Sequence, residues 1–299
     1  DVKNPFGFTK VEGRLKSRGG KVEGNGGQIE TSGAYLDVSK ASIDVGSSFG
    51  KAGSWLLDPY NYIITNTSKL SLENALLNGA NVHIQTTEPS NPLINSCDIS
   101  QNCISNNGDF GFIEFRTDLD YSSGSGLFRM TANKTIEIFE NNTIKTGSGG
   151  LELNAPNGLI GLGKIIVDED NPSSTASFSI TQNRDSVFEG VISGNGRLIK
   201  KGSGELTLNG ANTFTAETSV QGGILTVNSS LPNTANCSGG SSNLCTSSES
   251  ITSTAASTSI IDQFNNTASS SAAFIPVKAP SMIPGAIASG ALTGTTMGP

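Results

Sequence analysis

Apolar residues fall on alternate positions in short runs along most of the chain, as in Leu36 with Val38, Ile43 with Val45, Val82 with Ile84, Leu206 with Leu208 and Leu225 with Val227. A period of two gives each run one apolar and one polar face, which predicts half-buried strands. Ile29, Leu36 and Ile43 also recur at the spacing of a helical heptad, but Gly26, Gly27, Gly33, Gly46 and Gly50 leave no helix long enough to use it. Three short strands and their tight corners make a unit of about 20 residues, the size of one coil of a stacked parallel β-solenoid.

The same rhythm continues with Phe112 to Arg116, Leu127 to Thr131, Ile136 to Phe139, Leu151 to Leu153 and Ile165 to Val167, each bounded by Gly, Asn or Pro. The best helical candidate is Leu70 to Leu77, with Ser68 or Ser71 to cap it and Asn78-Gly79 to stop it. Between the strands, residues 88–109 read as an insertion rich in turn formers. The strand pattern ends near residue 228. From Ser229 to Pro299 the only charged residues are Glu249, Asp262 and Lys278, and Ser, Thr and Ala dominate, so 229–299 reads as a low-complexity tail. Its apolar stretches, Phe274 to Val277 and Met282 to Ile287, offer a grip for docking on this chain or on another copy.

Composition sharpens this picture. Only 35% of the residues are hydrophobic and 15% charged, with 36 glycines, a thin core for 299 residues but a suitable one for a narrow interior column with Gly-rich corners. The net charge of -7 argues against nucleic acid as a partner. Lys10, Arg14, Lys16, Arg18 and Lys21 form the one basic run. Interleaved with Glu12 and Glu23, it reads as a solvated strand face rather than as a patch for an acidic surface glycan. The chain opens at Asp1 without a signal peptide or an apolar stretch of membrane-spanning length, which suggests a processed product or a fragment.

Residues 26–59, GGQIETSGAYLDVSKASIDVGSSFGKAGSWLLDP, followed by IITNTSKLSLENALLNGANVHIQTT at 63–87, closely resemble the C-terminal passenger region of filamentous-haemagglutinin-like and high-molecular-weight adhesins. Those are exoproteins of the two-partner secretion pathway of Gram-negative bacteria, and the resemblance continues in order to Pro156. Residues 187–227, VFEGVISGNGRLIKKGSGELTLNGANTFTAETSVQGGILTV, are similar to the autotransporter-associated strand repeat. Together the two resemblances imply an all-β chain: a right-handed parallel β-helix over 1–228, built as a passenger for export, with the low-complexity C-terminal tail after it.

An exported protein crosses an oxidising periplasm, so the four cysteines read as two local disulfides, Cys97–Cys103 and Cys237–Cys245, among the three connectivities four cysteines allow. Zinc is the competing reading, but neither spacing suits a structural zinc site and the sole histidine, His83, sits in a strand-like run. The second pair, just after the last strand, resembles a C-terminal loop that halts some such adhesins in their outer-membrane pore. A filament joint and a local staple remain open for it. Asp168, Glu169 and Asp170 form the densest acidic group and read as a charged turn, and the glycines of Gly158 to Gly163 are wrongly spaced for a dinucleotide loop. No catalytic, cofactor or metal residue is assigned. Sequons stand at Asn66, Asn133, Asn141, Asn228, Asn236 and Asn265.

The expectation is a secreted or outer-membrane-associated adhesin, a rigid rod that contacts glycans or proteins of host or bacterial surfaces and uses a two-partner pore during export. A self-associating filament or biofilm-matrix subunit and a carbohydrate-active β-helix enzyme are the alternatives.

Overall fold

The computed structural model describes residues 7–88, 110–228, 237–239 and 244–247, all within the first of two compact units, Asp1–Ser250. It is almost entirely β, and every strand pair is parallel. Gln28–Ser32, Ser54–Asp58, Asn81–Gln85, Phe128–Thr131, Leu151–Asn154, Ser177–Thr181, Arg197–Lys201, Thr218–Val220 and Cys237–Gly239 form a nine-stranded sheet in chain order. Tyr62–Ile64, Ile113–Phe115, Thr135–Ile138, Gly158–Gly161, Ser186–Phe188, Glu205–Leu208, Ile224–Val227 and Leu244–Ser247 form an eight-stranded sheet, again in order. Leu119–Tyr121, Thr143–Thr146, Lys164–Val167 and Val191–Gly194 form a third, four-stranded sheet. From Phe128 to Gly194 the chain visits the three sheets in turn, so each strand pairs with the one a full circuit later. Phe178, Leu198 and Thr218 pair in series at 20-residue intervals, as the pattern predicts, whereas earlier circuits are longer, with Leu151 opposite Phe178.

Register stacks like side chains into columns. In the nine-stranded sheet Trp55, Val82, Phe128, Leu151, Phe178 and Leu198 follow one another inward, all essentially without solvent contact. Burial of such side chains contributes roughly 1.5–3 kcal/mol each. Phe115 and Tyr121 meet Phe128 edge to face, with ring centroids 6.3 and 6.1 Å away. Two polar tips find partners where they enter the core: Trp55 Nε1 donates to Thr31 Oγ1 at 3.0 Å and Tyr121 Oη to the Gly150 carbonyl at 2.9 Å. The buried Tyr62 and Thr218 hydroxyls, by contrast, make no hydrogen bond among the described residues. Glycine columns turn the corners because backbones stack there, as where a Cβ on Gly210 would lie 1.9 Å from the Gly190 carbonyl oxygen.

A two-stranded parallel sheet, Phe8–Lys16 with Tyr35–Asp44, stands at the N-terminal end. Its register slips by one residue between Lys10 and Glu12. The slip explains how Leu36 and Val38, then Ala41 and Ile43, are all buried although residues seven apart in a regular strand face opposite sides.

The helix forms where expected, over Lys69–Leu77, and buries Ser71, Leu72, Ala75 and Leu76. Its ends differ from expectation in one respect. Ser68 occupies the N-cap position but makes no capping bond, because its hydroxyl turns back to accept from the Thr65 N–H at 3.0 Å. At the other end Gly79, at φ +82°, donates to Leu76 O, and Ala80 donates to Ala75 O, both at 3.0 Å, the paired bonds of a Schellman stop. Ser71 Oγ donates to the Val38 carbonyl at 2.7 Å, and the Glu73 carboxylate accepts from the Asp120 N–H at 2.9 Å. The helix thereby joins the two-stranded sheet to the first strand of the four-stranded one. No helix among the described residues is long and apolar enough to cross a membrane.

The third side of the circuit changes after Val191–Gly194, where no strand follows Glu205–Leu208. Thr213 and Thr215 instead donate to the carbonyls of Ile192 and Gly194 at 2.9 and 3.1 Å, and Phe214, 1% exposed, fills the core. Two short strands, Cys237–Gly239 and Leu244–Ser247, continue the two larger sheets past Val227. The expected insertion lies almost wholly outside the described residues.

Candidate binding surfaces

The outer face of the nine-stranded sheet follows from strand alternation. Because Trp55, Val82 and Phe128 point inward, their neighbours Leu56, His83 and Arg129 point outward in register with Glu30 before them and Glu152 after. Glu30, Leu56, His83 and Arg129 floor a groove of about 540 Å³ whose rim includes Gln28 and Asn81. A second hollow of about 180 Å³ shares Arg129 and runs on to Lys201. His83 Nε2 lies 3.0 Å from Thr131 Oγ1, and Arg129 Nε donates to Glu152 Oε2 at 2.6 Å. Burial, reinforced by the Arg129 charge, pushes the His83 pKa down, against the pull of Asp58 and Glu152. The groove therefore offers hydrogen-bond donors and acceptors around the half-buried Leu56, a lining suited to a hydroxyl-rich ligand.

A second groove, about 350 Å³, opens beside the two-stranded sheet. Of the basic run, Lys10, Arg14 and Lys16 lie on the exposed face of Phe8–Lys16 and Arg18 and Lys21 follow the strand, while Lys10 and Lys40 both pair to Glu12 at 2.7 and 3.2 Å. Nothing in the sequence pattern singled out Asp44, on which Arg14 Nη2 and Arg18 Nη1 converge, each on its own carboxylate oxygen. Partial burial opposes ionisation of Asp44, but the two guanidinium hydrogen bonds outweigh it and hold its pKa below the usual carboxylate value.

The acidic group after Lys164–Val167 is used locally. Asp168, buried and at φ +48°, accepts from Ser174 Oγ and from Asn171 Nδ2, and so shapes the turn that follows. Glu169 pairs with Lys145 at 2.6 Å. Gly158 to Gly163 is a strand and corner, with Gly158 and Gly161 at positive φ. Among the described residues no group of three or more His, Cys, Asp or Glu side chains is arranged to hold a metal ion. Asn66, Asn133, Asn141 and Asn228 are exposed, while Asn236 and Asn265 lie outside the described residues. Cys97 and Cys103 also lie outside them. Cys237 and Cys245 are described only as backbone, in register with Thr218 and Leu225 of different sheets.

Lys200 is the residue that sequence reasoning passed over. It occupies the inward column after Leu153 and Ile180, is 0% exposed, and donates from Nζ to the carbonyls of Lys201, Gly202 and Gly222 at 2.8, 3.2 and 3.2 Å. The clue was present: Leu198 inward and Ile199 outward require Lys200 inward. Desolvation lowers its pKa to about 8, against a pull upward from Asp185.

The passenger-associated-transport-repeat family model matches residues 198–227. The matched stretch begins with Lys200's strand and spans two successive circuits, through Glu205–Leu208 and Thr218–Val220 to Ile224–Val227. It falls inside the 187–227 segment whose sequence resembles the autotransporter-associated strand repeat. No curated protein and no solved structure matches the chain.

Proposed function

We propose that the chain is a passenger region of an exported bacterial surface protein: a right-handed parallel β-helix that acts as a rigid adhesive rod. The observation that carries the reading is the transport-repeat match lying on successive circuits of an all-parallel stack. In such a stack each circuit contacts chiefly its neighbours, so length can grow without redesign of the core, and reach from the cell surface becomes a function in itself. Contact with glycans or proteins of host or bacterial surfaces uses the two outward grooves, and no reaction is assigned to them. The resemblance of 26–156 to two-partner exoproteins supports export through an outer-membrane pore of that pathway, and the family match bears on the repeat alone.

Display of the chain on a heterologous Gram-negative cell tests the reading. Thin rods by electron microscopy and raised attachment to cell or matrix surfaces are expected. Soluble fibrils without attachment favour a filament subunit, and reproducible depolymerisation of a polysaccharide by the purified chain favours the enzyme alternative.

A further inference from the structure

The groove beside the two-stranded sheet carries a more specific assignment. The chain has a net charge of -7, yet residues 8–21 hold Lys10, Arg14, Lys16, Arg18 and Lys21 against Glu12 alone. Asp44 is 10% exposed, whereas the Arg14 and Arg18 side chains that meet it are 55% and 47% exposed. One carboxylate balances one of two guanidiniums, so a positive charge remains. Each guanidinium also gives Asp44 a hydrogen bond from one terminal nitrogen and has further N–H donors in its planar fork. Asp44 thus holds two oxyanion-binding heads at a fixed spacing, which lowers the ordering cost of binding a ligand. Lys16 stands opposite Asp44 in the register and adds charge to the same face.

We propose that this groove binds the carboxylate or sulfate groups of an acidic polysaccharide, with Arg14 and Arg18 as the recognition pair and Asp44 as their positioning residue. The assignment rests on the surface-exposed passenger reading and names the ligand class of one of its grooves. A polysaccharide is favoured over an anionic membrane because the apolar lining residues Ile43, Val45 and Ala80 are all buried, which leaves none of them to insert into lipid. The overall negative charge also opposes approach to an extended anionic bilayer.

The test uses the purified full chain and three probes: immobilised heparin, neutral dextran, and vesicles of phosphatidylcholine with phosphatidylserine. Binding to heparin that weakens with added salt, absent on dextran and weaker on vesicles, is expected. R14Q/R18Q should reduce heparin binding at least ten-fold while its circular dichroism and unfolding midpoint stay close to wild type. K164Q/R184Q removes the same charge from exposed positions far along the chain and should change binding less than two-fold. Equal losses in the two double variants would show diffuse attraction and overturn the site, as would tighter binding to vesicles or no heparin binding at all. Rod shape and cell attachment are read separately, so failure here leaves the adhesive rod standing, and loss of those two readouts leaves the heparin result interpretable.

Discussion

Lys200 and the corner glycines show how single residues set the stack's tolerances. The Lys200 ammonium has three N–H donors and three carbonyl partners, two on its own turn and one on the next. Its pKa falls from 10.5 to about 8 through desolvation, so between those values the unfolded chain binds more protons than the folded one, and stability rises with pH across that window. The gain is on the order of 3 kcal/mol. Urea unfolding at pH 7.5 and pH 10 should show it in wild type and lose it in Lys200→Met. Tyr62 and Tyr121, whose pKa values burial raises, pull the other way at higher pH, so the comparison between the two proteins isolates the lysine. Two glycines separate steric from conformational cost. Gly210→Ala would press a Cβ to 1.9 Å from a carbonyl oxygen, whereas Gly13→Ala, at φ +97° with no neighbour within 4 Å, meets only backbone strain. Unfolding midpoints should place the first above the ~1–2 kcal/mol expected of the second. The alternation of Leu198, Ile199 and Lys200 made the lysine's inward position legible. Its Gly222 carbonyl partner was not, because that one comes from the next circuit.

The elements most legible in the sequence were those with two inward apolar residues, such as Leu151–Asn154 and Phe128–Thr131, where a period of two is visible. Thr143–Thr146, which buries Ile144 and Thr146, went unseen because one apolar side chain beside Thr sets no period, and Gly158–Gly161 because its two apolar residues, Leu159 and Ile160, are adjacent rather than alternate. The helix was visible through its Asn78-Gly79 stop, but its attachment was not. Ser71 and Val38 are 33 residues apart, and their bond depends on how the helix is seated between two sheets. Ser71→Ala leaves a buried carbonyl without its donor and should cost about 1–2 kcal/mol, read from the urea midpoint. A loss below a few tenths of a kcal/mol would show that packing of Leu72 and Leu76 alone seats the helix.

At the scale of the whole molecule, the parallel order of strands was legible from coil length and from family resemblance, whereas the convergence of Arg14 and Arg18 on Asp44 was not, since it needs register between strands 28 residues apart. The order has a thermodynamic consequence. Strands pair with their counterparts one circuit away, so a perturbation should travel by neighbours rather than spread at once. Removing residues from Ser229 onward uncovers Thr218–Val220 and Ile224–Val227, which pair with the strands beyond it. Hydrogen exchange should then speed up by ten-fold or more in those two strands. A smaller rise should reach Arg197–Lys201 and Glu205–Leu208, their partners on the other side, since Lys200 still finds its three carbonyls in residues that remain. Strands as distant as Phe128–Thr131 should keep their wild-type protection. Uniform loss of protection from Phe8 to Val227 would show instead that the stack opens as one cooperative unit, and the neighbour-by-neighbour account would be wrong.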